Sequence, residues 1–213
     1  MVADGYAHKE IDGWHCRHII LPTCHKDNGN TPRGIGSLCA MNEGFQSILF
    51  LDADNWYDPR HAEVVDNTHS QENCDVVFAR RHIVFPDGDI LLEEDWEDRD
   101  LSHVDTSCFA IYSNAFSALS TWCSMPQRIS FICDRIMFQL LVNKFSCCWT
   151  ESKTVFFETY YPHHFRKGGK TLPETYRRLP RITTADVDAI NEEFAHRSFC
   201  PVFLPGGRIQ SID

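Results

Sequence analysis

The chain has 213 residues, 43% of them hydrophobic and 12% aromatic, which suits one globular domain with a real core and room for a C-terminal extension. Its formal net charge of −10 argues against sequence-independent nucleic-acid binding, which rests on Lys and Arg neutralising phosphates. No apolar run reaches the ~18 residues of a membrane span and no basic-then-apolar signal pattern opens the chain; the ten cysteines form no C-x-x-C pair and read as reduced, small core residues of a cytoplasmic protein.

In chain order, "RHIILP" (17–22) reads as a short buried strand and "HKDNGNTPRG" (25–34) as turn chemistry. Thr31 then reads as an N-cap with Pro32 at the first helical position, and a helix runs to a C-cap at Gly44. "QSILFL" (46–51) is a second strand. A helix follows over 58–71, with Asp58 as N-cap and Pro59 at its first position. "DVVFAR" (75–80) is a third strand, and 82–95 reads as a hairpin around Pro86-Asp87-Gly88. "SCFAIY" (107–112) is a further strand; 113–122 and 128–145 are helical by apolar spacing. "SCCWT" (146–150) and "TVFFETYY" (154–161) suggest two more strands. A basic, glycine-containing loop (163–181) and a last helix (184–197) complete the chain. The alternation of strand and helix in the first half predicts an α/β fold: a three-layer sandwich with a mostly parallel central sheet.

The stretch "ILFLDADNWYDP" (48–59) carries the chemistry. A buried-looking strand ends on two carboxylates one residue apart, Asp52 and Asp54. In open α/β sheets ligands bind outside the carboxyl ends of strands, and residues i and i+2 of an extended segment point the same way. Two such carboxylates repel unless a cation lies between them, and Mg²⁺ or Mn²⁺ binds one or two carboxylates and completes its shell with water and phosphates. Asp52, Asp54, Asp58 and Glu63 also fall at EF-hand positions one, three, seven and twelve. However, Tyr57 stands where that loop needs glycine, and a strand precedes it. An aspartyl-phosphate phosphatase is disfavoured by Asn55 and Trp56 after the pair. A solvated, helix-capping loop does not account for the buried strand feeding it.

The block "NGNTPRGIGSLCAMNEGFQSILFLDADNWYDP" (28–59) resembles the middle of a family 2 glycosyltransferase of the GT-A fold. "VADGY" (2–6) resembles the Asp-Asp-Gly-Ser turn of that family, "CDRIMFQLL" (133–141) its Glu-Asp motif opening a helix, and "YYPHHFRKGG" (160–169) its late Tyr/Arg-His segment. The resemblance implies a GT-A-like domain over 1–170 with a C-terminal extension over 171–213. The family's first strand and helix have no counterpart before Met1, so the domain is expected to be N-terminally shortened. It implies metal-dependent transfer of a sugar, with inversion, from a UDP- or GDP-sugar to an unidentified acceptor hydroxyl, with Mn²⁺ or Mg²⁺ as cofactor. By the same resemblance Asp4 contacts the base or ribose, Arg33 the phosphates, Asp52 the ribose and metal shell, and Asp54 the metal. His163 or His164 adds a metal or diphosphate contact, and Asp134 is the general base. Asp134 has a reading of its own: an acid between "FIC" and "IMF" sits in an apolar setting that raises a carboxyl pKa. Arg166, Lys167 and Lys170 read equally as a diphosphate-closing loop or a solvated basic run. Ala3 and Cys133 stand where the family has acids, so a catalytically silent binding module is the alternative, and a metal-dependent phosphohydrolase a third reading.

Overall fold

The structure is a computed structural model that describes residues 1–92, 104–177 and 183, together with the backbone of 202–204 and 208–210. The expected helix over 184–197 lies outside the described residues, as does the end of the 82–95 hairpin.

Strand β1 (Val2–Ala3) pairs in parallel with β2 (Ile19–Ile20) as a separate two-stranded sheet. Helix α1 (Asn30–Asn42) follows. Its predicted stop holds: Gly44 adopts φ +83°, its N–H donates to the Met41 carbonyl at 3.1 Å, and Phe45 N–H donates to the Ala40 carbonyl at 3.2 Å. That is a Schellman ending, which needs a left-handed residue where only glycine has no Cβ penalty. The predicted start moves. Gly29, not Thr31, is the N-cap of α1, and the carboxylate of Asp27 just before it satisfies the first turn, accepting from the Thr31 N–H at 2.8 Å and the Thr31 hydroxyl at 2.6 Å.

The main sheet joins β3 (Ser47–Leu49), β4 (Asn55–Tyr57), β5 (Val76–Val84), β6 (Phe109–Tyr112) and β7 (Cys147–Glu158) in the spatial order β3-β6-β5-β7-β4. The expectation of a mostly parallel sheet is corrected: only β5 and β7 run parallel, and β6 is antiparallel to both its neighbours. A single crossover helix returns a chain to the same end of a sheet and gives parallel strands. Here β5 runs into a turn, with the Phe85 N–H bonded to the Asp89 carbonyl and Gly88 at φ +89°, and β6 enters from the far end. Two α-helices, α3 (Ser120–Ser124) and α4 (Cys133–Lys144), each preceded by a 3₁₀ helix (Ser113–Ala118 and Gln127–Ile132), separate β6 from β7.

Strand β7 replaces the two strands expected over 146–161. Its polar middle, Glu151-Ser152-Lys153, reads as a turn in sequence but is accommodated by register shifts against β5 between Phe78 and Arg81. Thr150 fills the gap, its hydroxyl accepting from the Arg80 N–H at 3.0 Å.

Helices cover both faces of the sheet. On one, α2 (His61–Glu72) stacks His69 on Tyr112 and bonds His61 Nδ1 to the Thr154 hydroxyl at 2.8 Å. The sequence placed the start of α2 at Asp58; the helix begins at His61, and Asp58 organises the turn before it by accepting from the Arg60 N–H at 2.9 Å. On the other face, Phe138 of α4 packs on Phe78, and Trp122 of α3 on Phe109. Phe78, Ile111, Leu119, Ile136, Met137 and Leu141 are all fully buried there. A smaller cluster, Ile83, Phe85, Leu91, Phe157 and Phe165, ties the 85–91 turn to α5 (Pro162–Lys167). Lys170 clasps the same turn, donating to Asp87 at 2.5 Å and Asp89 at 2.6 Å.

Cysteine use differs from the expectation of ten reduced thiols. Cys74, after α2, is disulfide-bonded to Cys148 of β7, with Cα atoms 6.1 Å apart, inside the normal span for such a bond. The backbone of β8 (Val202–Leu204) pairs antiparallel with β9 (Arg208–Gln210). No helix among the described residues is long and apolar enough to cross a membrane.

Candidate functional site

Residues 50–54 carry the chain from β3, at one edge of the sheet, to β4 at the other. Asp52, Ala53 and Asp54 form the turn within that passage, closed by the Asn55 N–H on the Asp52 carbonyl at 3.0 Å. Ser107 holds the turn from below. Its hydroxyl accepts from Asn55 Nδ2 at 2.7 Å and from the Asp52 N–H at 3.3 Å, and its carbonyl accepts from the Tyr57 hydroxyl at 3.0 Å. The Tyr57 hydroxyl also contacts the Phe50 carbonyl. Burial and the nearby acidic groups push the Tyr57 pKa up, so it remains a neutral donor.

The turn opens on a cavity of about 840 Å³, within the size range of small-molecule sites. Its walls bring together Asp52 and Asp54, Arg33 from α1, Asp134 from the first turn of α4, and Tyr161 beyond β7. Four of the sequence-predicted site residues (Arg33, Asp52, Asp54 and Asp134) therefore share one cleft. Arg33 reaches it because Asn28 and Gly29 take left-handed conformations (φ +54° and +81°) that fold the loop beside the helix start. Its guanidinium donates to the Asn28 carbonyl at 2.7 Å and to Asp52 Oδ1 at 2.5 Å, and lies 5.3 Å from the Trp122 ring. Burial is the largest influence and would lower the Arg33 pKa, but the charge and hydrogen bond of Asp52, with Cys133 and Asp105 nearby, together outweigh it and the net shift is upward. Asp134 accepts from the Arg135 N–H at 2.7 Å, at the end of α4 where the helix dipole favours an anion.

Three expected participants lie elsewhere. Asp4 is not part of the cavity wall; its carboxylate binds His25, accepting from the backbone N–H at 3.0 Å and meeting ring Nδ1 at 2.6 Å. Partial burial raises the Asp4 pKa, but the His25 contacts win and the net shift is downward. His164 is buried with Nδ1 on the Thr159 hydroxyl at 2.5 Å, and His163 packs against it and Tyr161. Neither histidine lines the cavity. Among the described residues no group of three His, Cys, Asp or Glu side chains could hold a metal ion, so the four-residue set expected from the sequence is not assembled. Asp52 and Asp54 do fit a smaller demand. Both line the cavity, each already holds a guanidinium, and a hard divalent cation requires only one or two carboxylates when water and phosphate complete its shell.

Sequence reasoning missed two residues. Asp105 lies on the cavity wall, 8% exposed, with Oδ1 accepting from the Ser107 N–H at 2.9 Å and Oδ2 3.9 Å from the buried Arg81 guanidinium. Burial raises its pKa, Arg81 opposes that, and the Asp52 charge adds to it. The signal lay in "VVFARRHIV": two successive arginines in an apolar strand cannot both face solvent, and a buried arginine demands an acid. The second is Arg177, whose guanidinium binds Asp54 Oδ2 at 2.6 Å and also bonds Tyr161.

No protein-family model matches the chain, and no curated protein matches it in sequence. Solved structures do. The S. aureus TarS structure in complex with UDP-GlcNAc matches with a TM-score of 0.58 at 11% identity, covering 93% of this chain and 57% of that one. TarS in complex with UDP matches with a TM-score of 0.51 at 13% identity, covering 89% of this chain and 58% of that one. The chain thus shares the mixed α/β fold of TarS and spans somewhat over half the length of these matched chains.

Proposed function

We propose that this chain is a GT-A-like, family 2-type glycosyltransferase that takes a nucleotide diphosphate sugar into the cavity beside Asp52 and Asp54 and passes the sugar to an acceptor hydroxyl with inversion. The observation that carries it is the convergence of Arg33, Asp52, Asp54, Asp105 and Asp134 on one cavity, in a fold shared with a protein that holds UDP-GlcNAc.

Each side chain has a physical task in this reading. Arg33, fixed by Asn28 and Trp122, offers a rigid fork to phosphate oxygens. Asp54, with Asp52 beside it, would hold Mn²⁺ or Mg²⁺, which supplies charge neutralisation for a diphosphate leaving group. Asp134, on the cavity wall at the first turn of α4, takes the proton of the acceptor hydroxyl. Asp105, too buried to act as a metal ligand without rearrangement, anchors the turn through Ser107.

Thermal shift with UDP and GDP, each with and without Mn²⁺, tests the donor site. A ligand at 100 times its Kd should add ~2.7 kcal/mol of stability. Metal-dependent stabilisation by one nucleotide supports the reading; none from either contradicts it. A second reading, a nucleotide-binding module without turnover, draws on one observation: Asp52 and Asp54 are both already neutralised by arginines. Nucleotide binding without sugar transfer to any member of an acceptor panel would select it.

A further inference from the structure

Two ion pairs hold the Asp-Ala-Asp turn, and they differ in kind. Arg33 and Asp52 have side chains 14% and 31% exposed, and Arg33 is further fixed by a carbonyl and an aromatic ring. Arg177 and Asp54 are 52% and 38% exposed. Ion pairs so exposed are weakly held and readily exchanged. Arg177 is nevertheless positioned deliberately by its backbone: its N–H donates to the Tyr160 carbonyl at 2.8 Å, which pins it to the end of β7, and its guanidinium also bonds Tyr161.

We propose that Arg177 is an internal counter-cation of Asp54, exchanged for the divalent cation when the donor loads and then turned onto the donor's diphosphate. The proposal rests on the glycosyltransferase reading of the cleft. A guanidinium N–H and a divalent cation compete for the same Asp54 oxygen, so Arg177 opposes binding of the metal by itself. The two negative charges of a nucleotide-sugar diphosphate and that of the Asp54 carboxylate together outnumber the two positive charges of the cation, and the diphosphate oxygens match the planar fork that Asp54 has released. The backbone pin at Tyr160 keeps the displaced guanidinium on the cavity wall. One side chain therefore acts with opposite sign on two ligands: it weakens metal binding and strengthens nucleotide binding in the presence of metal. A purely structural arginine has no reason to do both.

Titrate the full chain with Mn²⁺ alone, following free Mn²⁺ by electron paramagnetic resonance, and then with UDP or GDP at saturating Mn²⁺ by calorimetry. Compare wild type, Arg177→Gln, Arg177→Lys and Asp54→Asn. Arg177→Gln should bind Mn²⁺ alone roughly 2–5-fold tighter, the range set by an exposed ion pair, and the nucleotide roughly tenfold weaker. Arg177→Lys, which keeps the charge and loses the fork, should bind Mn²⁺ like wild type and the nucleotide more weakly. Asp54→Asn should abolish Mn²⁺ binding. Unchanged or weaker Mn²⁺ binding by Arg177→Gln, with wild type still binding both ligands, overturns the exchange and leaves the donor site standing. Failure of wild type and Arg177→Gln alike to bind Mn²⁺ or either nucleotide overturns the donor-site reading and the exchange with it.

Discussion

Replacing Arg33 by Met keeps a side chain of similar length and removes the guanidinium from between Asp52 and Trp122. Rupturing a fully buried ion pair costs about 3–5 kcal/mol, and losing an exposed one about 0–1. With side chains 14% and 31% exposed, the Arg33–Asp52 pair lies between those limits. The Asp105 carboxylate nearby adds repulsion to the stranded Asp52 charge. A destabilisation of about 2–3 kcal/mol follows, partly offset by the apolar contact of Met with Trp122. In a chain of 213 residues that lowers Tm by roughly 5–10 °C. The diagnostic is the double variant. Arg33→Met with Asp52→Asn removes the stranded charge and should recover about 1–2 kcal/mol relative to Arg33→Met alone. Urea denaturation followed by circular dichroism measures all four corners of the cycle. If Arg33→Met lies within about 0.5 kcal/mol of wild type, or the double variant recovers nothing, the pair does not organise the cleft as argued.

Other expectations follow from the same contacts. His61 is buried beneath Tyr57 and its pKa is pulled from the ordinary 6.5 down to about 4 by burial. The unfolded chain takes up that proton first, so this contribution is complete above pH 6.5 and is lost as pH falls toward 4, at most about 3 kcal/mol. Urea midpoints at pH 7 and pH 5 should show the fall in wild type and a shallower one in His61→Gln; equal slopes would remove His61 as the cause. Ser107→Ala removes the acceptor of the Asp52 N–H and leaves the Asn55 amide only its long 3.5 Å bond to Asp105, and should cost about 1–3 kcal/mol, with weaker nucleotide binding; unaltered stability and binding would show that the turn is held otherwise. Asp134→Asn should keep nucleotide-sugar binding while transfer falls by about 10²–10⁴-fold; equal loss of binding would move Asp134 from the acceptor side of the reaction to the donor side.

How legible all this was depended on the range of the interaction that decides each feature. The end of α1 at Gly44 and the strand feeding the Asp-Ala-Asp turn are written in neighbouring residues, and both lie where the sequence puts them. The start of α1 was displaced because Asn28 and Gly29 turn left-handed and bring Asp27, not Thr31, to the helix end. The direction of β6 was not legible, since alternation of strand and helix says nothing about the end from which a strand enters the sheet. β7 was cut in two because the bulged register that absorbs its polar middle is a property of the pairing with β5. Asp105 and Arg81 are separated by more than twenty residues, and only the fold makes them partners. Arg177 lay within a basic run without periodicity, where nothing local distinguishes the arginine that reaches Asp54 from its neighbours.

The most direct measurement is calorimetric titration of UDP and GDP into wild type, Asp54→Asn and Asp134→Asn, with and without Mn²⁺. For one of the two nucleotides, wild-type affinity should rise at least about tenfold with Mn²⁺, that gain should vanish in Asp54→Asn, and Asp134→Asn should bind like wild type. The same affinity in all three proteins, indifferent to Mn²⁺, would mean that the nucleotide does not bind at the Asp52–Asp54 turn and would contradict the account.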